Sequence, residues 1–440
     1  MLQSISERQY TRDYEWKAWD AGHIWHPYTQ MKLMPEAIAV DRAEGSYLYL
    51  ADGRRLFDGI SSWWVTLHGH AHPRIAKAIA DQASKLEQVI FAGFTHEPAA
   101  TLAHRLIQRA PSGLTKAFFS DDGSTAVEVA LKMSIQYWKH QGEDRRTFLA
   151  LEHAYHGDTF GAMSISERGT FTDAFAPFLF DVKRLPFPSS LDGIKDFSEA
   201  EDKFLNALRT ECKKNTIAAF IYEPLLLGAG GMKTWRPQVL EAALAIAREH
   251  NVLTIADEVL TGFGRTGTFF ASEQTTIAPD MMTLSKGLTG GFLPMGMTLA
   301  SQQMFDAFLS DDRSKTFFHG HSYTGNPISC AAALASLDVF EMEPVMDRIR
   351  SIERVHRERL PKLAERLGNR YRVLGTVAAM EPQKPTGYLS PQMLAIPPRA
   401  IARGMLIRPL GDVIYLLPPY SSTEEDLHRA YDVLTAVIEQ

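Results

Sequence analysis

Apolar residues in this chain change period as they run. From about residue 72 the stretches "PRIAKAIADQASKL" and "EPAATLAHRLIQRA" carry them at helical spacing. "KAFFS" then reads as a strand and "STAVEVALKMSIQYWK" as a helix, followed by the strand "RTFLALE". Further on come "TIAAFIYEP", the helix "RPQVLEAALAIAREH", and the runs "NVLTIADE", "PDMMTLSK" and "PMGMTLAS". Strands alternating with helices predict an α/β centre, a parallel sheet covered on both faces. The ends read differently. "GSYLYLADGRRLFDGIS" forms two short apolar runs about Asp52-Gly53, a hairpin signal. After Pro327 a long helical region begins, and the tail mixes "RYRVLGTVAAME", "GMLIRPLG" and "DVIYLLPP" with a last helix, "TEEDLHRAYDVLTAVIE". This predicts a large domain over 71–328. Residues 1–70 and 329–440 are expected to pack together as one smaller α+β domain.

Composition narrows the class. The chain has 440 residues, 45% hydrophobic and 22% charged, with net charge -6. That is globular material with nothing to attract a polyanion such as nucleic acid. Two cysteines, Cys212 and Cys330, make no disulfide framework. The first twenty residues lack an apolar signal core, and no run approaches the roughly 18 apolar residues of a membrane helix. A cytoplasmic location is expected.

Gly262, Gly264 and Gly267 follow the apolar run Val252–Ala256 in G-x-G-x-x-G spacing, which raises a dinucleotide site. Asp257 and Glu258 stand between the run and the glycines, and "TFFASEQ" after them is a poor helix start. A pyrophosphate about 4 Å from either carboxylate would cost roughly 4 kcal/mol per charge pair at an effective dielectric near 20. An acidic turn-rich loop is one alternative. A strand end that delivers a carboxylate to a cationic ligand is the other.

Lys286 ends a second apolar run and precedes the glycine-rich "GLTGG". A solvated lysine is the plain reading. Held in a desolvated pocket, its amine could instead attack a carbonyl. Gly123 and Ser124 lie where the strand "KAFFS" turns into a helix, so their N–H groups suit an anion, although an N-cap by Asp122 or Ser124 would use the same residues. A lysine, an acid for a ring nitrogen and a phosphate cradle are together what pyridoxal phosphate (PLP) requires.

These stretches resemble the class III aminotransferases, PLP enzymes of fold type I built like aspartate aminotransferase, over nearly the whole chain. "DEVLTGFGRTG" is similar to their aspartate segment, "SKGLTGG" to their lysine segment, and "EHAYHGDTFGAMS" to the segment whose aromatic residue stacks on the cofactor. The stretches "IWHPYTQM", "DGISSWWVTLHGHAHP", "FFHGHSYTGNP" and "LIRPLGDVIYLLPPY" resemble the members that aminate 8-amino-7-oxononanoate (KAPA) to 7,8-diaminononanoate (DAPA) in biotin biosynthesis.

The resemblance implies roles. Lys286 would carry PLP, Asp257 would pair its ring nitrogen, and Gly123 with Ser124 would hold its phosphate. Tyr155 would lie on the ring. Tyr28 and Trp63 would line the substrate site, with Tyr28 in the catalytic set beside Lys286 and Asp257. Gly320 would contact substrate, and Arg408 would bind a carboxylate. His321 and Ser322 would reach the phosphate in a partner subunit, making the enzyme a homodimer with its site at the interface. In some relatives proline and threonine stand at these two positions. Glu258 is read as structural and Trp64 as core. S-adenosylmethionine is the expected amino donor, with lysine as the alternative. A rival is a class III enzyme acting on ornithine or 4-aminobutyrate, and a more distant one is a non-catalytic PLP or nucleotide binder. His68, His70 and His72, like His319 and His321, are read as loop histidines rather than metal ligands.

Overall fold

The computed structural model of the protein describes residues 15–34, 36–191, 197–384 and 391–439. The first fourteen residues of the N-terminal stretch read above lie outside them.

Seven strands form the central sheet. In spatial order they are Leu114–Ser120, Gly296–Ser301, Met281–Leu284, Leu253–Asp257, Ile217–Tyr222, Thr147–Leu151 and Val182–Leu185. The last five run parallel to one another. Ile217–Tyr222 is buried at all six positions, as expected of a parallel strand covered on both faces. Gly296–Ser301 departs from the predicted pattern: it pairs antiparallel with both Met281–Leu284 and Leu114–Ser120. A doubly buried strand is a plain apolar run in either direction, so its spelling carries no sign of its sense. Val182–Leu185, an edge strand spelled VKRL, is half polar and so leaves no apolar run in the sequence.

Helices at the predicted positions cover the sheet. Pro237–Glu249 turns its buried Val239, Leu240, Ala243, Leu244, Ile246 and Ala247 to the core. Gly123–His140 starts at a capping box, with the Asp122 carboxylate accepting from Thr125 N.

The chain ends meet in smaller sheets. The predicted hairpin forms from Tyr47–Leu50 and Arg55–Asp58, and Met405–Leu406 from the far end of the chain adds to it in parallel, opposite Phe57 and Asp58. A three-stranded sheet of Asn369–Leu374, Val377–Pro382 and Ile414–Leu416 lies beside it in sequence. The long helix Val345–Leu367 ends at Gly368, whose φ of 65° gives the left-handed cap. Its buried His356 bridges the Tyr431 hydroxyl (2.8 Å) and the Thr376 carbonyl (3.2 Å).

Candidate active site

The carboxyl ends of the central strands open into a cavity of about 710 Å³. Gly123, Ser124, Tyr155, Asp257 and Lys286 all line it, from four separate segments. Ligands of open α/β sheets occupy this position.

Asp257 is the last residue of its strand and is buried. Its Oδ1 accepts from Val259 N (3.1 Å) and the Thr283 hydroxyl (3.2 Å). Its Oδ2 lies 2.6 Å from Nδ1 of His156, which is fully enclosed and whose Nε2 has no partner among the described residues. Glu258, one residue on, faces the other way. Its carboxylate accepts from the Thr261 hydroxyl (2.6 Å), Ala271 N (3.1 Å), and Ser272 N and Oγ (2.7 Å each). Four donors hold a buried carboxylate that cements a loop, as the structural reading of Glu258 anticipates.

The glycine spacing serves that loop too. Residues 259–267 form turns and open no helix. Gly264 has φ 96°, and a side chain there would come within 2.5 Å of Ile349. So the dinucleotide reading falls: the glycines let the loop approach the long helix. Arg265 inside the same motif is buried and donates to the carbonyls of Pro418 (3.0 Å) and Thr66 (3.2 Å), bracing the turn after Trp64.

Lys286 opens a short 3₁₀ turn with φ 42°, a strained left-handed conformation for a side-chain-bearing residue. Burial of its amine pushes its pKa down, against the pull of Asp257 and Glu223. Its Nζ lies 5.3 Å from the Trp64 ring, and the Trp64 Nε1 donates to the Tyr415 hydroxyl at 2.9 Å. Trp64 is therefore both core and cavity wall. Glu223 also lines the cavity and accepts from Tyr155 N (3.1 Å) and Gly228 N (2.8 Å). Burial pushes its pKa up to about 7, opposed by His156 and reinforced by Asp257.

The helix start at Gly123 has room for both readings. Asp122 caps it, and the N–H groups of Gly123 and Ser124 have no partner among the described residues. A Cβ on Gly123 would lie 2.7 Å from Val259, so only glycine leaves this approach open. The Ser124 hydroxyl accepts from the N–H groups of Asp158 and Thr159 (3.1 Å each), tying this helix start to the Tyr155 loop.

A second group, Tyr28, Trp63 and Arg408, is outside the cavity lining and adjoins it through Tyr155 and Asp158. Tyr28, φ 52°, reaches the Tyr155 hydroxyl at 3.3 Å and donates to the Asp158 carboxylate. Burial, then the Tyr28 hydroxyl and the Asp158 charge, raise the pKa of Tyr155, so its phenol stays protonated. The Tyr28 and Trp63 rings meet edge to face at 5.6 Å, and the Arg408 guanidinium lies 5.0 Å from the Trp63 ring. Arg408 is exposed, with no carboxylate partner among the described residues. The turn carrying Trp63 is held in place by buried Asp58, which accepts from Ser62 N (2.6 Å) and pairs with His70 (2.9 Å). Ser61, Ser62 and Trp64 there all have positive φ.

Gly320, His321 and Ser322 do not line this chain's cavity. They sit in an outer segment where Gln88 donates to the Ser322 carbonyl at 2.9 Å and Tyr323 is exposed. The histidines of the "HGHAH" stretch go to different partners: His68 to the Ser336 hydroxyl, His70 to Asp58, His72 to Glu343. The sequence pattern gives His156, Glu223 and Asp158 no role of their own. His156 and Asp257 lie 101 positions apart, and only the "YHGD" spelling beside Tyr155 marks the first.

The residues present fit pyridoxal phosphate. A desolvated lysine, a buried carboxylate and a helix start with two unpartnered N–H groups face one cavity of sufficient size.

Comparison with known proteins follows that geometry. The family described as Aminotransferase class-III matches residues 28–438. An adenosylmethionine-8-amino-7-oxononanoate aminotransferase of Synechococcus elongatus is 48% identical over 421 residues, 95% of this chain and 99% of the relative. The crystal structure of the enzyme so named from Methanocaldococcus jannaschii superposes with TM-score 0.91 at 34% identity, covering 97% of this chain and 99% of that one. A PLP-bound amine transaminase from an uncultivated Pseudomonas species gives 0.88 at 31% identity, covering 95% and 98%.

Proposed function

The chain belongs to the class III aminotransferases, and from that premise we propose that it moves an amino group from S-adenosylmethionine to 8-amino-7-oxononanoate, giving 7,8-diaminononanoate for biotin. The observation that carries the reading is the meeting of Lys286, the Asp257–His156 pair and the Gly123-Ser124 helix start in one cavity, with Tyr28, Trp63 and Arg408 beside it.

Each residue has a task. The bound cofactor supplies an aldehyde carbon for the amine and a ring that accepts electrons. Gly123 and Ser124 would hold its phosphate at the positive end of their helix. Asp257 would keep a proton on the ring nitrogen, since a carboxylate within a few ångströms favours the charged form. His156 orients that carboxylate. Lys286 Nζ would hold the cofactor covalently, and when released would take the proton from the carbon bearing the donor's amine. In the second half-reaction it would deliver a proton to C7 of the keto acid. Tyr155 would cover the ring, and Tyr28 would set Tyr155 through the hydroxyl pair.

Arg408 would bind the terminal carboxylate of KAPA, because an arginine fork makes two parallel hydrogen bonds to a carboxylate. Trp63 would flank the methylene chain. The protein would work in the cytoplasm as a homodimer, in which Gly320, His321 and Ser322 complete the cavity of a second copy. Exposed Ile90, Phe94, Phe318 and Tyr323 support that association.

The test is a product assay with purified protein, cofactor and KAPA, offering S-adenosylmethionine and lysine as separate donors. DAPA formed with S-adenosylmethionine is the expected result. DAPA with lysine alone would move the donor, and none with either would overturn the reaction.

A further inference from the structure

Tyr155 is held at both ends. Its hydroxyl meets that of Tyr28 at 3.3 Å, and its backbone N–H donates to Glu223 Oε1 at 3.1 Å. Glu223 is buried, and its Oε2 accepts from Gly228 N at 2.8 Å. The Trp235 indole donates to the Glu223 backbone carbonyl at 3.1 Å, which fixes the stem of that side chain. One carboxylate thus joins the Tyr155 segment to the start of the turn 228–232. The same turn approaches the Tyr155 segment a second time. A Cβ on Gly230 would lie 2.3 Å from the His153 carbonyl oxygen, so only glycine permits the contact. Ala229, beside it, lines the cavity.

The turn is strained. Gly231 has φ 95°, and Met232, which carries a side chain, has φ 53°. Its internal hydrogen bonds run from Gly231 N and Met232 N to the Gly228 carbonyl, at 3.2 and 2.9 Å. They leave the carbonyls of Gly231 and Met232 unused, and Arg372 takes both. Its Nε donates to the Met232 carbonyl at 2.6 Å and its Nη2 to the Gly231 carbonyl. Arg372 comes from Asn369–Leu374, 140 positions beyond Met232. It is buried, with Nη1 3.3 Å from Glu381, a carboxylate it shares with Arg370 at 3.0 Å. A planar guanidinium gripping two successive carbonyls sets the tilt of the peptide between them, which a lysine amine does not.

We propose that Arg372 is a positioning residue for Tyr155: through the 228–232 turn and Glu223 it fixes where the Tyr155 backbone stands, and so how the ring lies on the cofactor. The inference rests on the reading of Tyr155 as the cofactor's cover. Tyr28 holds the phenol end, and the chain's C-terminal sheet holds the backbone end. Each link from Arg372 to Tyr155 is a direct hydrogen bond or a bonded turn, the contiguous kind of network along which a displacement can travel.

A double-mutant cycle on the cofactor-loaded protein tests this. It is read by the visible circular dichroism of the bound cofactor and by the single-turnover rate with S-adenosylmethionine. The dichroism needs no substrate, so a different donor would not disturb it. Arg372→Lys keeps the charge and one carbonyl contact. Glu223→Gln keeps the shape but turns an amide NH₂ towards one of the two N–H groups. Each is expected to lose roughly half or more of the dichroism per bound cofactor and to slow the reaction about tenfold, as small misplacements of reacting groups do. Tyr155→Ala is expected to match or exceed both losses. Added to Tyr155→Ala, neither variant should cost more than about a further twofold, because residues acting through one another are not additive and independent ones are. Losses that multiply overturn the proposal. So does a lowered thermal midpoint with dichroism and rate unchanged in both single variants, which would leave Arg372 a structural residue alone. Wild-type dichroism and rate in Tyr155→Ala by itself would remove the cover, and with it the reading on which the proposal rests.

Discussion

The floor of the cavity and its side wall are built on different principles. The floor ends a buried strand, and Asp257 there has every oxygen engaged, by Val259, Thr283 and His156. The wall hangs on turns. Tyr28, Ser61, Ser62 and Trp64 are held at positive φ, and Arg408 reaches out into solvent. A saturated hydrogen-bond network in a low-dielectric core fixes charge and geometry before any ligand arrives. A wall of exposed side chains contributes contacts only once something lies against it. Chemistry should therefore fail when the floor is altered, and affinity when the wall is.

Substitution can break that division. Lys286→Ala removes the amine proposed to transfer the proton and is expected to lower turnover by about 10⁴-fold, the upper end for a lost general base. The cofactor's absorbance should also become dialysable, which separates lost attachment from lost folding. Asp257→Asn keeps shape and removes charge. It is expected to lower turnover about 10²- to 10³-fold, comparable to losing one preorganised electrostatic contact, with cofactor still bound. Wild-type rates in that protein would remove Asp257 from the floor's function. Arg408→Ala should leave turnover near wild type but raise the KAPA Michaelis constant about 10- to 100-fold, the loss of a charge-assisted hydrogen bond of roughly 1.5–3 kcal/mol. An equal rise for S-adenosylmethionine would show that the wall does not discriminate.

The smallest effect concerns the frame behind both regions. Burial pushes the pKa of His68 and of His356 down to about 3. Unfolded, each titrates near 6.5. Their contribution to stability is full above about pH 6.5 and is lost as pH falls from there towards 3, because the unfolded chain takes up the protons first. The thermal midpoint of the cofactor-free protein should drop between pH 7 and pH 5, and His356→Gln should flatten the drop.

The sequence showed the floor better than the wall, and for a physical reason. Asp257 and Lys286 each end an apolar run and precede glycines, so local spelling marks a strand end with chemistry on it. Of the partners that hold Asp257, Thr283 and His156 are remote in sequence, and periodicity says nothing about His156 arriving from 101 positions away. Glu258 and Asp257 look equivalent in the chain, but successive residues of a strand point to opposite faces, and only one can meet the cavity. The direction of Gly296–Ser301 was hidden by its apolar uniformity. The strain in the 61–64 turn was hidden as well, since Ser-Ser-Trp-Trp carries no glycine to announce positive φ.

The parallel pairing of Arg55–Asp58 with Met405–Leu406 sets an order of assembly. All seven strands of the central sheet lie between residues 114 and 301, so a chain emerging from the ribosome has them in hand while the last partner of its N-terminal hairpin is still unmade. At roughly 5–20 residues per second that interval is on the order of ten seconds. Until it ends, a newborn molecule has Lys286 but lacks Arg408, the proposed selector of its substrate. Truncation between residues 301 and 405 leaves it permanently at that stage.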